Sequence, residues 1–176
     1  MSKPLVLALE RAERSSSVTK EETLTQYLVK NQAGFYRLTY SVLKNQDDAL
    51  DAVQTAVCHA LERQDSLRNA GAIQTWFYRI LMNVCNDVLR QRMRVVPLPT
   101  DWEPSQEDPE PTDDTLIQRV DALPLEVAAI IKLRFYEELT LNEISQITGQ
   151  NLSTVKSRLY SGLKKLRIAT EGAEIS

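Results

Sequence analysis

The sequence predicts an all-α protein of two small helical domains joined by an acidic, proline-rich linker. Three observations indicate this fold. Glycine occurs only 5 times in 176 residues, no segment sustains the period-two alternation of a strand, and apolar residues recur at helical spacing. Residues 97–114 interrupt that spacing with five prolines, seven acidic residues and no basic one. This composition neither packs nor propagates a helix, so it predicts a linker.

The expected organisation is an N-terminal tail at 1–20, a first domain at 21–94, the linker at 95–113, a second domain at 114–170 and a C-terminal tail at 171–176. Apolar residues make up 43% of the chain, which is enough to build packed cores. The net charge of -3 argues against a general basic coat for nucleic acid. Since no apolar run approaches the length of a membrane span and no signal peptide is recognisable, we expect a cytoplasmic protein that is not inserted in a membrane.

Three helices are expected in the first domain. One runs from about Glu21 to Leu43, with Gly34 as a weak point. The second begins near Asp47 as its cap. Its expected apolar side consists of Leu50, Val53, Val57 and Leu61. The third helix follows a turn at 68–71, and its expected buried stripe consists of Ile73, Phe77, Ile80, Val84 and Val88.

Beside this stripe, the third helix carries a row of polar side chains: Thr75, Arg79, Asn83, Asn86 and Arg90. Trp76 lies at the edge of the stripe. It is equally consistent with a side chain that packs in the core and with an aromatic rim of a nucleic-acid-binding surface. Basic side chains beside an aromatic ring suit a separated nucleic-acid strand. The amide of Asn83 can in addition read a base edge.

The second domain ends in two helices that predict a helix-turn-helix. A short helix at 116–122 and a helix opened by Pro124 precede them, the latter with Val127, Ile130, Ile131 and Phe135 facing inward. Thr140 and Glu143 form a capping box for the next helix, which buries Ile144 and Ile147, and Gly149 ends it.

The last helix is expected to begin at Ser153 as its cap and to bury Val155, Leu159, Leu163 and Leu166. Residues 151–170 contain five basic residues and no acidic one. Thr154, Ser157, Arg158 and Ser161 lie at or beside one edge of this helix. Hydroxyl and arginine side chains at the N-terminal end of such a helix suit the major groove of DNA.

Three segments carry a resemblance to a known family. LTLNEISQITGQNLSTVKSRLYSGLKKLR at 139–167 resembles the fourth conserved region of bacterial RNA polymerase sigma factors of the extracytoplasmic-function group. DDALDAVQ at 47–54 and IQTWFYRILMNVCNDVLR at 73–90 resemble the second conserved region. The resemblance covers about 24–168. The chain departs from the common pattern at Leu50, at Ser153 and at Ser161 with Gly162.

The resemblance implies a sigma factor that directs core RNA polymerase to promoter DNA. The residues that it assigns to polymerase binding are Asp48, Asp51 and Gln54. Those for the minus-ten element are Leu67, Trp76, Arg79, Asn83, Asn86 and Arg90, with Asn83 and the loop at 67–71 capturing a flipped base. Those for the minus-thirty-five element are Ser153, Thr154, Lys156, Ser157, Arg158, Ser161 and Lys165. An anti-sigma factor, often membrane-bound, is a further implied partner.

An autonomous helix-turn-helix regulator that binds operator DNA without polymerase is the alternative. An enzyme is not expected, because the sequence has no glycine-rich phosphate loop and no cluster of metal ligands. His59 is the only histidine, and Cys58 and Cys85 form no CxxC pair. We therefore expect no catalytic residue, metal, cofactor or small-molecule substrate, and two reduced thiols.

Overall fold

The structure, a computed structural model, describes residues 20–95 and 115–174. Within these two ranges the regular elements are eight α-helices and two short 3-10 turns, and no strand is present. The predicted all-α fold is confirmed. The predicted N-terminal tail up to residue 19, the predicted linker from residue 96, and residues 175–176 lie outside the described residues.

Four helices make up the first helical group: α1 (20–30), α2 (Gln32–Leu43), α3 (Gln46–Glu62) and α4 (Ile73–Val95). The prediction of one helix from Glu21 to Leu43 was wrong, because the chain breaks at Asn31 and not at Gly34. The Asn31 backbone has φ -106° and ψ 12°. Its side-chain amide donates to the Tyr27 carbonyl at 2.8 Å, a local hydrogen bond that competes with helix continuation.

Helix α3 differs from the prediction in its cap and in its buried face. Asn45, and not Asp47, is the cap, since its side chain accepts from the backbone N–H of Asp48 at 2.9 Å. The buried face consists of Ala49, Ala52, Ala56 and Ala60. Leu50 and Leu61 are 46% and 39% exposed, so the predicted apolar stripe was wrong at its two ends. Small alanines let α3 approach its neighbours closely and leave the larger side chains at the surface.

Helix α4 buries four of its predicted stripe residues, and Val88 is half-buried. The Phe77 ring on α4 is packed 4.4 Å from the Phe35 ring on α2, measured between centroids. Two 3-10 turns, Gln64–Ser66 and Ala70–Ala72, connect α3 to α4. This short connection makes α3 and α4 direct neighbours, so their exposed faces form one surface.

The second helical group contains α5 (Thr115–Asp121), α6 (Leu125–Phe135), α7 (Leu141–Thr148) and α8 (Leu152–Glu174). Pro124 is the N-cap of α6 as expected, and Ile130 and Ile131 are buried. Phe135 was expected to face inward, and this was wrong because it is 56% exposed at the last turn of α6. Helix α8 extends to Glu174, beyond residue 170.

The turn between α7 and α8 is built by three local devices. Thr140 and Glu143 form the predicted capping box of α7. Gly149 has φ 69°, the left-handed conformation that ends this helix. Asn151 caps α8 by accepting from the backbone N–H of Thr154 at 2.8 Å. Ser153 is therefore not the cap; its hydroxyl instead donates to the Asn151 side chain at 2.9 Å.

The two helical groups pack against each other, α2 against α6 and α4 against α7. Buried side chains from both groups belong to one continuous apolar core, with Phe35, Leu81, Ile130 and Ile144 each fully buried. In the described ranges, no helix combines the length and apolar character needed to cross a membrane.

Candidate nucleic-acid interface

Helix α8 presents a polar face that its buried stripe holds in place. Val155, Leu159 and Leu166 are buried, and Leu163 is half-buried. Five of the seven predicted minus-thirty-five residues are exposed: Ser153, Lys156, Ser157, Ser161 and Lys165. The other two, Thr154 and Arg158, are half-buried. The arrangement can present hydroxyls and positive charge to a groove or a phosphate.

Arg158 is occupied within the second helical group. Its guanidinium forms an ion pair with the carboxylate of Glu126 on α6, and the two side chains are 35% and 60% exposed. An ion pair this exposed contributes little to stability, so Arg158 can exchange Glu126 for another anion at low cost. Arg158 therefore remains able to bind an external acceptor.

Thr154 and Arg158 face the first helical group across a cleft of about 430 Å³. Met82 and Asn86 of α4 line one side of this cleft. The other side consists of Glu126, Ala129, Thr148, Gly149, Gln150, Asn151, Thr154 and Arg158. The structure thus places Asn86, assigned to the minus-ten element, opposite two residues assigned to the minus-thirty-five element.

The second predicted surface lies on α4. Arg79, Asn83 and Arg90 are exposed, whereas Asn86 is half-buried. Arg90 forms an exposed ion pair with Asp87 at 3.2 Å, one turn earlier on α4. The exposed side chains form a polar and basic row that can follow a nucleic-acid backbone.

A groove of about 290 Å³ lies between the end of α3 and α4. Its lining residues are His59, Arg63, Ile80, Asn83, Val84, Asn86, Asp87 and Arg90. His59 and Arg63 were not predicted as site residues. The short connection between α3 and α4 could have predicted both residues from the sequence, because it brings the last turns of α3 beside α4.

Leu67 and Trp76 occupy different positions from the rest of the predicted minus-ten set. Leu67 is only 6% exposed and packs in the core, and neither it nor residues 68–71 line the groove at Asn83. Trp76 is half-buried, and its indole N–H donates to the Ser66 hydroxyl at 3.2 Å. Trp76 therefore connects α4 to the turn that precedes it.

Of the three predicted polymerase contacts on α3, Asp51 and Gln54 are exposed and Asp48 is half-buried. Asp48 forms an ion pair with Arg92 of α4, whose guanidinium also donates to the Leu43 carbonyl at 2.8 Å. Asp51 and Gln54 lie on the same helix with their side chains exposed to solvent. Exposed Leu50 lies beside Asp51 and adds apolar area to this face.

The described residues contain no group of histidine, cysteine, aspartate or glutamate side chains that could hold a metal ion. Cys58 is exposed on α3 and Cys85 is buried on α4. Burial raises the pKa of Cys85 to about 12. At neutral pH the Cys85 thiol is therefore protonated, which leaves it unreactive.

Comparisons with known proteins match both helical groups. The family model described as Sigma-70 region 2 matches residues 28–95, and that described as Sigma-70, region 4 matches residues 113–166. The chain is 39% identical over 161 residues to the RNA polymerase sigma factor SigV of Bacillus subtilis, covering 90% of this chain and 97% of that protein.

Two further matches agree with these. The chain is 32% identical over 143 residues to the ECF RNA polymerase sigma factor SigE of Mycolicibacterium smegmatis, covering 75% of this chain and 55% of that protein. The sigma factor RpoE of Bartonella quintana, solved in complex with the anti-sigma factor NepR, superposes with a TM-score of 0.66 at 21% identity, covering 84% of this chain and 96% of that one. The last match concerns the fold alone.

Proposed function

Since the chain belongs to the sigma-70 family of RNA polymerase sigma factors, we propose that α8 reads the minus-thirty-five element, α4 holds the minus-ten element and α3 docks on the polymerase. The protein binds core RNA polymerase and directs promoter-specific initiation. It acts as a binding factor and not as an enzyme.

The polar edge of α8 is the observation that carries the proposal. Ser157, Ser161 and Lys165 are exposed on a helix that a capped turn holds at a fixed angle to α7. The N-terminal residues of a recognition helix contact base edges, while neighbouring basic residues contact phosphates. Arg158 is placed to read a guanine once it leaves Glu126, and Lys165 to bind a phosphate.

The groove between α3 and α4 supports the minus-ten assignment. Asn83 supplies an amide able to pair with a base edge, and Arg79 and Arg90 supply positive charge on either side of it. His59 and Arg63 join Asn83 in lining this groove. A base that leaves the stack needs such a pocket to offset the few kcal/mol that flipping costs.

The exposed face of α3 supports the polymerase assignment. Asp51 and Gln54 are available for contact, and Leu50 adds an apolar neighbour that is 46% exposed. Acidic side chains that meet a basic partner mainly speed docking and fix its register. Asp48 holds Arg92, so in this proposal Asp48 stabilises the α3 face and is not a free contact.

We further propose that an anti-sigma factor regulates the protein and that the protein acts in the cytoplasm. The similar fold of the Bartonella sigma factor was solved with an anti-sigma factor bound, which supports an anti-sigma partner for this chain as well. A factor that works with RNA polymerase acts in the cytoplasm, so we place the protein there. No cofactor is part of this function.

The test pairs protein variants with promoter variants in transcription by the reconstituted polymerase. Arg158→Ala should lower transcription from the intact promoter by about tenfold, since one good base contact contributes about 1–3 kcal/mol. On a promoter whose minus-thirty-five element is already altered, Arg158→Ala should lower transcription little further. Asn83→Ala should show the same non-additivity with the minus-ten element alone.

Two exposed residues outside the proposed sites provide matched controls: Lys164→Ala on α8 and Gln91→Ala on α4. Both should transcribe like the unaltered protein from every template. The contradicting result is that each variant lowers transcription by the same factor whether or not the minus-thirty-five or the minus-ten element is altered. Neither Arg158 nor Asn83 would then read the element assigned to it, and the proposed division of the site would be wrong.

A further inference from the structure

Helix α2 carries tyrosines and cations along its solvent side. Tyr36 and Tyr40 are one turn apart and half-buried, and their rings stack with centroids 5.9 Å apart. The Arg37 guanidinium lies 5.7 Å from the centroid of the Tyr136 ring at the end of α6. Lys44, the C-cap of α2, follows Tyr40 by four positions. We call the surface formed by these five residues the α2 platform.

Both cations of the α2 platform retain donors for a further anion. The Arg37 side chain is 46% exposed and approaches the Glu137 carboxylate at 3.9 Å, which is longer than a hydrogen bond. The Lys44 side chain is 38% exposed, and its ammonium donates to the Asp121 carbonyl at 2.7 Å. Burial lowers the pKa of Lys44 even though the Asp121 carboxylate raises it. A further carboxylate beside this ammonium is therefore favourable.

Charge is segregated between α2 and the segment that joins the two described ranges. Residues 23–46 contain no acidic residue, and their basic residues, Lys30, Arg37 and Lys44, recur every seven positions. Residues 96–114 have seven acidic residues, five prolines and no basic residue. Proline-rich segments bind aromatic-lined surfaces, because their extended backbone loses little entropy on binding. This segment therefore complements the α2 platform in charge and in chemistry.

Both ends of the segment 96–114 are anchored near the C-terminal end of α2. In the last turn of α4, the Arg92 guanidinium donates to the Leu43 carbonyl at 2.8 Å. Helix α5 ends at Asp121, whose carbonyl accepts from the Lys44 ammonium. The segment thus leaves α4 and enters α5 beside the α2 platform.

The segment is long enough to lie on this platform. Trp102 follows the end of α4 at Val95 by seven residues, and seven residues of extended proline-rich chain span about 20 Å. Tyr40 and Tyr36 are only about 6 and 12 Å from Lys44 along the helix axis. Attachment at both ends gives the segment an effective concentration on the order of 1 mM, so a contact with a Kd of about 1 mM is formed about half of the time.

We propose that residues 96–114 dock on the α2 platform in the free protein. Trp102 and the prolines pack on Tyr36 and Tyr40, and the carboxylates lie beside Arg37 and Lys44. The exposed rings of α2 thereby have a partner within the same chain. The docking involves none of the residues assigned above to promoter or polymerase, so it is independent of the proposed function.

Trp102 reports the docking, because a ring packed on the α2 platform is shielded from a neutral quencher. Every protein in the test carries Trp76→Phe, which leaves Trp102 as its single tryptophan. The measured quantity is the acrylamide quenching constant of Trp102 in the full chain. A synthetic peptide of residues 97–113 is the undocked reference. We expect a constant about half that of the peptide, as half occupancy requires.

Two independent variants remove the contact. Tyr36→Ser with Tyr40→Ser removes the aromatic surface. Asp101→Lys with Glu103→Lys reverses the charge on both sides of Trp102 and leaves α2 unaltered. Each variant should raise the quenching constant about twofold, to the value of the peptide, because the docked population is lost. Circular dichroism establishes that each variant is folded, and the second variant decides the matter if the first unfolds.

Each variant has a matched control. Tyr160→Ser removes a tyrosine of α8 that is 62% exposed. Glu21→Lys with Glu22→Lys makes the same change in charge at two exposed positions of α1. Both controls should keep the quenching constant of the Trp76→Phe protein.

A quenching constant equal to that of the peptide in the folded Trp76→Phe protein would overturn the docking. So would a constant that stays unchanged in either folded contact variant. The measurement is repeated at two protein concentrations, and shielding that disappears on dilution would show that the segment binds a second copy instead, which also contradicts the proposal. Neither DNA nor polymerase is present, so the outcome is separate from the transcription test.

Discussion

Gly162 on α8 lies so close to α6 that a Cβ atom there would be 2.5 Å from Cγ1 of Val127 and 2.9 Å from Cδ1 of Ile131. Gly162→Ala gains helix propensity of about 1 kcal/mol, yet it also overpacks a contact with a β-branched residue that cannot turn away. We expect a net loss of about 1 kcal/mol in the free energy of unfolding, measured in urea. The double variant with Val127→Ala should recover stability relative to Val127→Ala alone; a stabilising Gly162→Ala would contradict the close packing.

Lys132 has 5% of its side chain exposed, and its ammonium lies 2.7 Å from the Asp121 carboxylate. Asp121→Ala leaves this ammonium buried without its partner, so we expect the free energy of unfolding to fall by about 3 kcal/mol. Lys132→Met with Asp121→Ala should restore much of that loss, because no buried charge remains. A single variant as stable as the parent protein in thermal unfolding would show that the pair is not buried in solution.

The Thr140 backbone N–H, followed by its hydroxyl, lowers the pKa of Glu143 below the ordinary glutamate value. Because the pKa of Glu143 is lower in the folded state than in the unfolded chain, its carboxylate stabilises the folded state at pH values above the ordinary glutamate pKa, near 4. This contribution disappears as the pH falls through the folded-state pKa. We expect Glu143→Gln to lose stability at pH 7 by about 1 kcal/mol, the typical value of a cap, and to differ less from the parent protein at pH 3. Glu138→Gln is the control, and a difference that stays constant from pH 7 to pH 3 would refute the assignment.

Cys58 is exposed and Cys85 is buried with a pKa raised to about 12 by that burial. In the native protein at pH 8 we expect iodoacetamide to modify Cys58 at least about tenfold faster than Cys85. In urea the two rates should converge, since unfolding removes the protection. Mass spectrometry of the two peptides measures both rates; equal rates without urea would place Cys85 at the surface.

The elements set by local chemistry were predicted from the sequence. The Thr140 and Glu143 capping box, the turn at Gly149 and the buried face of α7 each depend on residues a few positions apart. The buried face of α3 was not predicted, because a large apolar side chain such as Leu50 outweighs Ala49 in any pattern based on hydrophobicity. The helix break at Asn31 was missed since a side-chain hydrogen bond to Tyr27, and not a glycine, causes it.

The packing of the two helical groups could not be predicted from local patterns. It depends on polar residues at helix ends and in a loop, such as Glu137, Asp121 and Gln74, whose partners are 63 or more positions distant. The same holds for the groove at Asn83, where His59 comes from another helix. Which residues of α8 contact DNA remains a prediction from the sequence. The structure adds how exposed each of these side chains is.

Promoter-directed transcription by purified core RNA polymerase, with and without this protein, tests the central claim most directly. The template is the region upstream of the protein's own gene, and the variant is Asp51→Ala. We predict transcripts of defined start only when the protein is added, and fewer when Asp51 is replaced, because docking on the polymerase weakens. If core polymerase neither binds nor responds to the protein while the protein alone shifts the same DNA, the chain acts without polymerase and the central claim fails.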